Sequence, residues 1–186
     1  MRVAVYSGSF DPLHIGHLAI LRELSSSGLY DSILLIISPQ NPLKESGKVH
    51  SAKERYDSAL CALNRHPELS KVRVSDIELK MPPPHYSIRT LDKLQEMHPK
   101  DRFTLIIGAD NLGCIRRWKD YPRILREYGV NVFPREGYDI DTLKKELILE
   151  DSSFIIDFFD TPLVTISSTF IREMKAMGED VSSYLM

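Results

Sequence analysis

The chain has 186 residues, a hydrophobic fraction of 42%, a charged fraction of 27% and a formal net charge of −2. This is the make-up of a single globular domain over residues 1–186, long enough to bury roughly two thirds of its unfolded surface. The near-neutral balance excludes a general attraction to nucleic acid or an anionic membrane, and the lack of an apolar run near 18 residues or of a charged-then-apolar leader predicts a cytoplasmic chain with neither membrane span nor signal peptide.

In chain order, the apolar run Val3-Ala4-Val5-Tyr6 predicts a first strand, and Ile15, Leu18, Leu21 and Leu24 recur at helical spacing after it. Between them, Gly8 to His17 (G-S-F-D-P-L-H-I-G-H) must be a tight strand-to-helix turn. Such turns bind phosphates, because Gly8 lets a ligand approach the backbone and the helix N-terminus offers unpaired N–H groups. His14 and His17 lie one helical turn apart and can donate to phosphate oxygens. A zinc site is not expected of them, since no Cys or third His stands at a suitable spacing.

The helix is predicted to stop at Gly28 in a left-handed cap, and Ser32–Ser38 reads as a strand covered on both faces. The loop Pro39–Lys44 should then open on the side of the two histidines. Ser51-Ala52-Lys53-Glu54 is a capping box for a helix carrying Tyr56, Ala59, Leu60 and Leu63. A strand is predicted over Lys71–Leu79, and Pro82-Pro83-Pro84 delays the next helix to Tyr86-Ser87, with Ser87 as N-cap and Ile88, Leu91, Leu94 and Met97 buried.

Phe103–Gly108 is the fourth predicted strand and ends in Gly108-Ala109-Asp110. Short helices around Trp118 and Ile124-Leu125, a strand over Val130–Phe133, a helix near 140–149 and a strand over Phe154–Phe159 follow. Ile166-Ser167 should cap the last helix, whose N-terminus brings Ser168 hydroxyl and free N–H groups, with Arg172 one turn in as a bidentate phosphate clamp. About six strands alternating with helices imply an α/β, Rossmann-like, doubly wound and mostly parallel sheet with helices on both faces. Cys61 and Cys114 lack CxxC spacing and read as free thiols. Residue type leaves three positions open: Asp110 as ribose ligand or helix cap, Arg135 as phosphate ligand or surface ion pair, and Trp118 as core residue or stacking platform.

Gly8–His17 resembles the nucleotidyltransferase signature GxFDPxHxGH, and Ile166–Arg172 resembles the second signature of that superfamily, ISSTxIR. Within it, Asn41-Pro42-Leu43-Lys44, Ile107-Gly108-Ala109-Asp110, Trp118 and Tyr86-Ser87-Ile88-Arg89-Thr90-Leu91 are similar to segments of the bacterial nicotinate-nucleotide adenylyltransferases. Three positions depart from that pattern: Ser87 stands for the usual Thr, Arg89 for the usual Asp, and Lys119 follows Trp118 where an aromatic is common. Arg89 or Lys119 would then add positive charge near the pyridine carboxylate.

The resemblance implies transfer of AMP from ATP to nicotinate mononucleotide, giving deamido-NAD and pyrophosphate, with Mg²⁺ carried on the triphosphate. It implies His14, His17, Lys44 and Arg172 as catalytic residues. ATP would be bound by Gly8, Ser9, Phe10, His14, His17, Gly108, Asp110, Ile166, Ser167, Ser168 and Arg172. The mononucleotide would be bound by Ser9, Phe10, Lys44, Tyr86, Ser87, Thr90, Trp118 and Arg135. No protein metal site, nucleic acid or membrane partner is implied, and assembly as a homo-oligomer stays open. The alternatives are pantetheine-phosphate adenylyltransferase, disfavoured by His14 where a Thr is usual, nicotinamide mononucleotide as acceptor, and a nucleotide sensor without turnover.

Overall fold

Alternate residues of each strand serve opposite faces of the sheet, because side chains along a strand point up and down in turn. Ala4 and Tyr6 join one buried apolar cluster, whereas Val3 and Val5 join the other. Ile33, Leu35 and Ile37 face the first cluster and Ile36 the second; Ile106 faces the first and Leu105 and Ile107 the second. Strands buried on both sides require helices on both sides.

The structure is a computed structural model describing residues 1–39, 50–159 and 166–186. Its strands are β1 (Arg2–Gly8), β2 (Ser32–Ile37), β3 (Val72–Ser75), β4 (Arg102–Gly108), β5 (Val130–Phe133) and β6 (Ile156–Phe158). They form one sheet in the order β3-β2-β1-β4-β5-β6, and each ladder is parallel. The helices are α1 (Ile15–Ser26), α2 (Ala52–Asn64), α3 (Ser87–Met97), α4 (Ala109–Gly113), α5 (Tyr121–Arg123), α6 (Ile140–Glu150) and α7 (Ser168–Ala176). No helix among the described residues is long and apolar enough to cross a membrane.

The chain winds outward from β1 to β3 and returns to place β4 on the other side of β1. That reversal is a switch point, where crevices form beyond the carboxyl ends of parallel strands. Here the crevice starts within the sheet. The β1–β4 ladder ends at Val5 and Leu105, although β1 continues to Gly8 and β4 to Gly108.

Several local expectations are corrected. β3 stops at Ser75, whose hydroxyl accepts the Ile77 N–H at 3.3 Å and turns the chain into a 3₁₀ helix over Ile77–Lys80. β6 is confined to Ile156–Phe158, because the N–H of Ile155 is taken by the Leu125 carbonyl and Phe154 closes a turn onto Asp151. Tyr86, not Ser87, is the N-cap of α3. Met97 is 54% exposed; nine residues at about 100° each carry it roughly 180° from Ile88, off the buried face. Leu60 is likewise exposed, because the inward face of α2 is centred on Arg55, Ala59 and Ala62.

Candidate active site

Where β1 and β4 part, a cleft of about 510 Å³ opens, a volume ordinary for a small-ligand site. Tyr6, Ser7 and Gly8 line it from β1, and Ile106, Ile107 and Gly108 from β4. Ser9, Phe10, His14 and His17 follow from the β1–α1 turn.

That turn is bent by Phe10, whose φ of 47° lies in the left-handed region. The conformation costs a non-glycine residue about 1–2 kcal/mol; burial of the ring, which is 5% exposed and packed edge-on against Tyr6 and His17, offsets it. A Cβ on Gly8 would stand 3.0 Å from the Phe10 ring, so glycine there makes room for the turn's own side chain.

Side chains from α2 and α7 hold the turn in place. Arg55, buried in α2, donates to the carbonyls of Ser9 (2.5 Å), Ser38 (2.9 Å), Pro39 (3.1 Å) and His50 (3.1 Å). His50 Nδ1 meets Asp11 Oδ1 at 2.7 Å. From α7, Ser168 Oγ donates to the Pro12 carbonyl at 3.1 Å and Arg172 to the Asp11 carbonyl at 2.6 Å. The two signature segments therefore touch directly.

His14 is the N-cap of α1, and it forms a reciprocal capping box with His17. His14 Nδ1 accepts the Gly16 N–H at 3.1 Å, and His17 Nδ1 accepts the His14 N–H at 3.2 Å. In neutral rings the proton then sits on Nε2, which makes each a donor. Burial, reinforced by the nearby Arg135 guanidinium, pushes the His14 pKa from 6.5 down to about 4. His14 is thus neutral at physiological pH.

The other walls carry most of the predicted residues. Tyr86 and Ser87 at the start of α3, Trp118 and Lys119 after α4, and Asp110, Arg135, Ile166, Ser167 and Ser168 all line the cleft. Arg135 lies 3.9 Å from Asp110, so the ion-pair alternative is realised, at the cleft wall. A Cβ on Gly108 would fall 2.3 Å from Asp110 Oδ1, so any larger residue there would push the Asp110 carboxylate aside.

Two predicted positions among the described residues, Thr90 and Arg172, do not line it. Thr90 is buried, and its hydroxyl donates to Glu78 at 3.0 Å instead of facing the cleft. Arg172 spends Nη1 on Asp11 and Nη2 on Thr169. Lys44 lies outside the described residues. Arg89 is turned away onto the Pro82 and Pro84 carbonyls, which leaves Lys119 as the member of that pair at the cleft.

A Cytidylyltransferase-like family model matches residues 5–174. A probable nicotinate-nucleotide adenylyltransferase of Flavobacterium psychrophilum is 37% identical over 173 residues, covering 93% of this chain and 86% of the relative. One from Bacteroides fragilis is 36% identical over 184 residues, covering 99% and 87%. The chain belongs to the nicotinate-nucleotide adenylyltransferase family. Plasmodium falciparum nicotinic acid mononucleotide adenylyltransferase complexed with NaAD has the same fold, with a TM-score of 0.79 at 21% identity over 99% of this chain and 90% of that one.

Three residues of this family member escaped the reading of the sequence. Arg55 sat in a helix pattern as one more charged residue. Glu78 fell inside a predicted strand, and His85 followed a proline run. Glu78 and His85 line the cleft, and each has a buried side-chain atom without a hydrogen-bond partner among the described residues, Oε2 and Nδ1.

Proposed function

We propose that the chain transfers AMP from ATP to nicotinate mononucleotide, forming deamido-NAD and releasing pyrophosphate. The observation that carries this reading is the cleft itself, where two Nε2–H imidazoles at a helix N-terminus share one space with an aromatic platform, Trp118, and the α3 start. The mononucleotide phosphate oxygen attacks the α-phosphorus of ATP, and the bond from that phosphorus to the bridging oxygen breaks in line. No covalent protein intermediate is needed, so the protein's work is to position two polyanions and to neutralise charge.

In this reading His14 and His17 donate to the ATP phosphates, with His17 nearest the α-phosphate. Gly8, Ser9 and Phe10 shape the floor, and Gly108 with Asp110 meets the adenosine ribose. Ile166, Ser167 and Ser168 at the start of α7 receive the β- and γ-phosphates. Arg172 has five N–H donors, and its bonds to Asp11 and Thr169 use two, so the same side chain can brace the turn and meet phosphate. The part assigned to Lys44 rests on its motif alone. Tyr86, Ser87, Trp118 and Arg135 take the mononucleotide, and Lys119 supplies positive charge at its ring carboxylate.

Among the described residues no group of three or more His, Cys, Asp or Glu converges on one point. Mg²⁺ would arrive with the triphosphate, held by phosphate oxygens and water, where it would lower the charge on the leaving pyrophosphate. We place the enzyme in the cytoplasm, acting as one catalytic unit over residues 1–186.

The test is a pyrophosphate-release assay with ATP and Mg²⁺, offering nicotinate mononucleotide, nicotinamide mononucleotide and phosphopantetheine in parallel. The expected outcome is the highest kcat/KM with nicotinate mononucleotide. Preference for either other acceptor overturns the substrate, and ATP binding without release overturns the activity.

A further inference from the structure

Glu78, on the 3₁₀ helix between β3 and α3, is 2% exposed and lines the cleft. One carboxylate oxygen is fully engaged: Oε1 accepts the Ser7 hydroxyl at 3.1 Å and the Thr90 hydroxyl at 3.0 Å. The other, Oε2, is buried without a hydrogen-bond partner among the described residues. A buried carboxylate oxygen left unpaired is costly, so a group in that state at the wall of a binding cleft points to a donor that arrives with the ligand.

The ligand's chemistry narrows what that donor is. On the pyridine mononucleotide, the ring carboxylate and the phosphate are acceptors, and the ring nitrogen is bonded to the sugar and carries no proton. Its donors are the 2′- and 3′-hydroxyls of the ribose. Glu78 is bonded to the end of β1 and to the first turn of α3, whose leading residues Tyr86 and Ser87 line the cleft with it. Gly108 and Asp110, the residues placed at the adenosine, stand instead at the end of β4.

We infer that Glu78 is a substrate-binding residue whose Oε2 accepts a ribose hydroxyl of the pyridine mononucleotide, an assignment that rests on the acceptor proposed above. The same oxygen repels a ligand turned the wrong way round, because reversal would bring a phosphate or ring carboxylate against it. Thr90 acts through Glu78 as a positioning residue, aiming the carboxylate without touching the substrate.

The experiment compares the native enzyme and Glu78→Gln with nicotinate mononucleotide and its 2′-deoxy and 3′-deoxy analogues, following pyrophosphate release. A hydrogen bond to a charged group is worth ~10- to 100-fold in binding. Loss of one hydroxyl should raise the native enzyme's KM for the acceptor by that factor. Glu78→Gln should raise the acceptor KM with the natural substrate while changing the ATP KM less than twofold, and should add little to the penalty of the deoxy analogue. Native-enzyme indifference to both hydroxyls overturns the inference without relying on any variant. Equal deoxy penalties in the two proteins, or a matching rise in the ATP KM, also overturn it. Absence of release from nicotinate mononucleotide in the native enzyme overturns the proposed function and this inference together, whereas release with additive penalties sinks the inference alone.

Discussion

His17 accepts the backbone N–H of His14 through Nδ1 at 3.2 Å, and the two rings lie 3.7 Å apart at 30°. Each ring therefore does two things: Nδ1 caps the start of α1 and Nε2 carries the ring proton. His14→Asn separates them, since Asn is as good an N-cap as a side chain offers. The variant should keep its stability within about 1 kcal/mol and lose ~10²- to 10³-fold in kcat. His17→Ala should lose as much activity and also some stability. Urea unfolding beside pyrophosphate-release rates checks both, and a His14→Asn enzyme of native kcat would remove His14 from the chemistry.

Acid should weaken the unliganded protein through His14. Its pKa in the fold, about 4, lies below the ordinary 6.5 because the ring is buried and faces Arg135. Between those values the unfolded chain holds more protons, so stability rises with pH across that window. The His14 contribution is complete above about pH 6.5 and is lost as pH falls through about 4. Urea midpoints at pH 7.5 and 5.0 should differ by the equivalent of roughly 2 kcal/mol from this group, and His14→Asn should flatten the difference. An unchanged slope in the variant would show that other groups carry it.

Arg55 ties together four carbonyls that lie outside the described helices and strands. Arg55→Ala leaves them without that donor and should cost on the order of 2–4 kcal/mol. Arg55→Lys keeps the charge but has no planar fork, so it should recover only part of the stability. Because the Ser9 carbonyl belongs to the β1–α1 turn that lines the cleft, KM should rise for both substrates in the lysine variant. A change in one KM only would show a local effect instead of a loosened turn.

Trp118 is the only tryptophan in the chain, and its Nε1 is buried without a hydrogen-bond partner among the described residues. If the pyridine ring stacks on it, nicotinate mononucleotide should quench the intrinsic tryptophan fluorescence in a saturable titration, and ATP alone should do so far less. Trp118→Phe should raise the acceptor KM by about fivefold, in line with a stacking contact of roughly 1 kcal/mol, and leave the ATP KM in place. Quenching by ATP and not by the mononucleotide would move the platform to the adenine.

The strand-turn-helix at Gly8–His17, the α7 cap at Ser167 and the alternation of strands and helices could be read from the sequence because each is a local matter. Apolar spacing of two or of three to four, a glycine after a helix and a Ser-x-x-Glu box report on residues that are near neighbours in the chain. The pattern misled where two periods overlap: Met97 continues an i, i+3 series that has already rotated off the buried face, and Leu79 sits in an alternation that Ser75 interrupts.

What only the tertiary structure decided is which polar groups meet. Ser7 and Glu78 are 71 residues apart and Arg172 and Asp11 161 apart, yet each pair is joined by one hydrogen bond. A backbone carbonyl has no sequence signature, so nothing in the order of residues distinguished Arg55, which binds four of them, from a surface arginine. The parting of β1 from β4 beyond Val5 and Leu105 has no local signal either, because it follows from the winding of the whole sheet. The sequence by itself determined the chemistry that lines the cleft; the winding of the sheet and these long-range hydrogen bonds determined where the cleft opens and which side chains are free to face it.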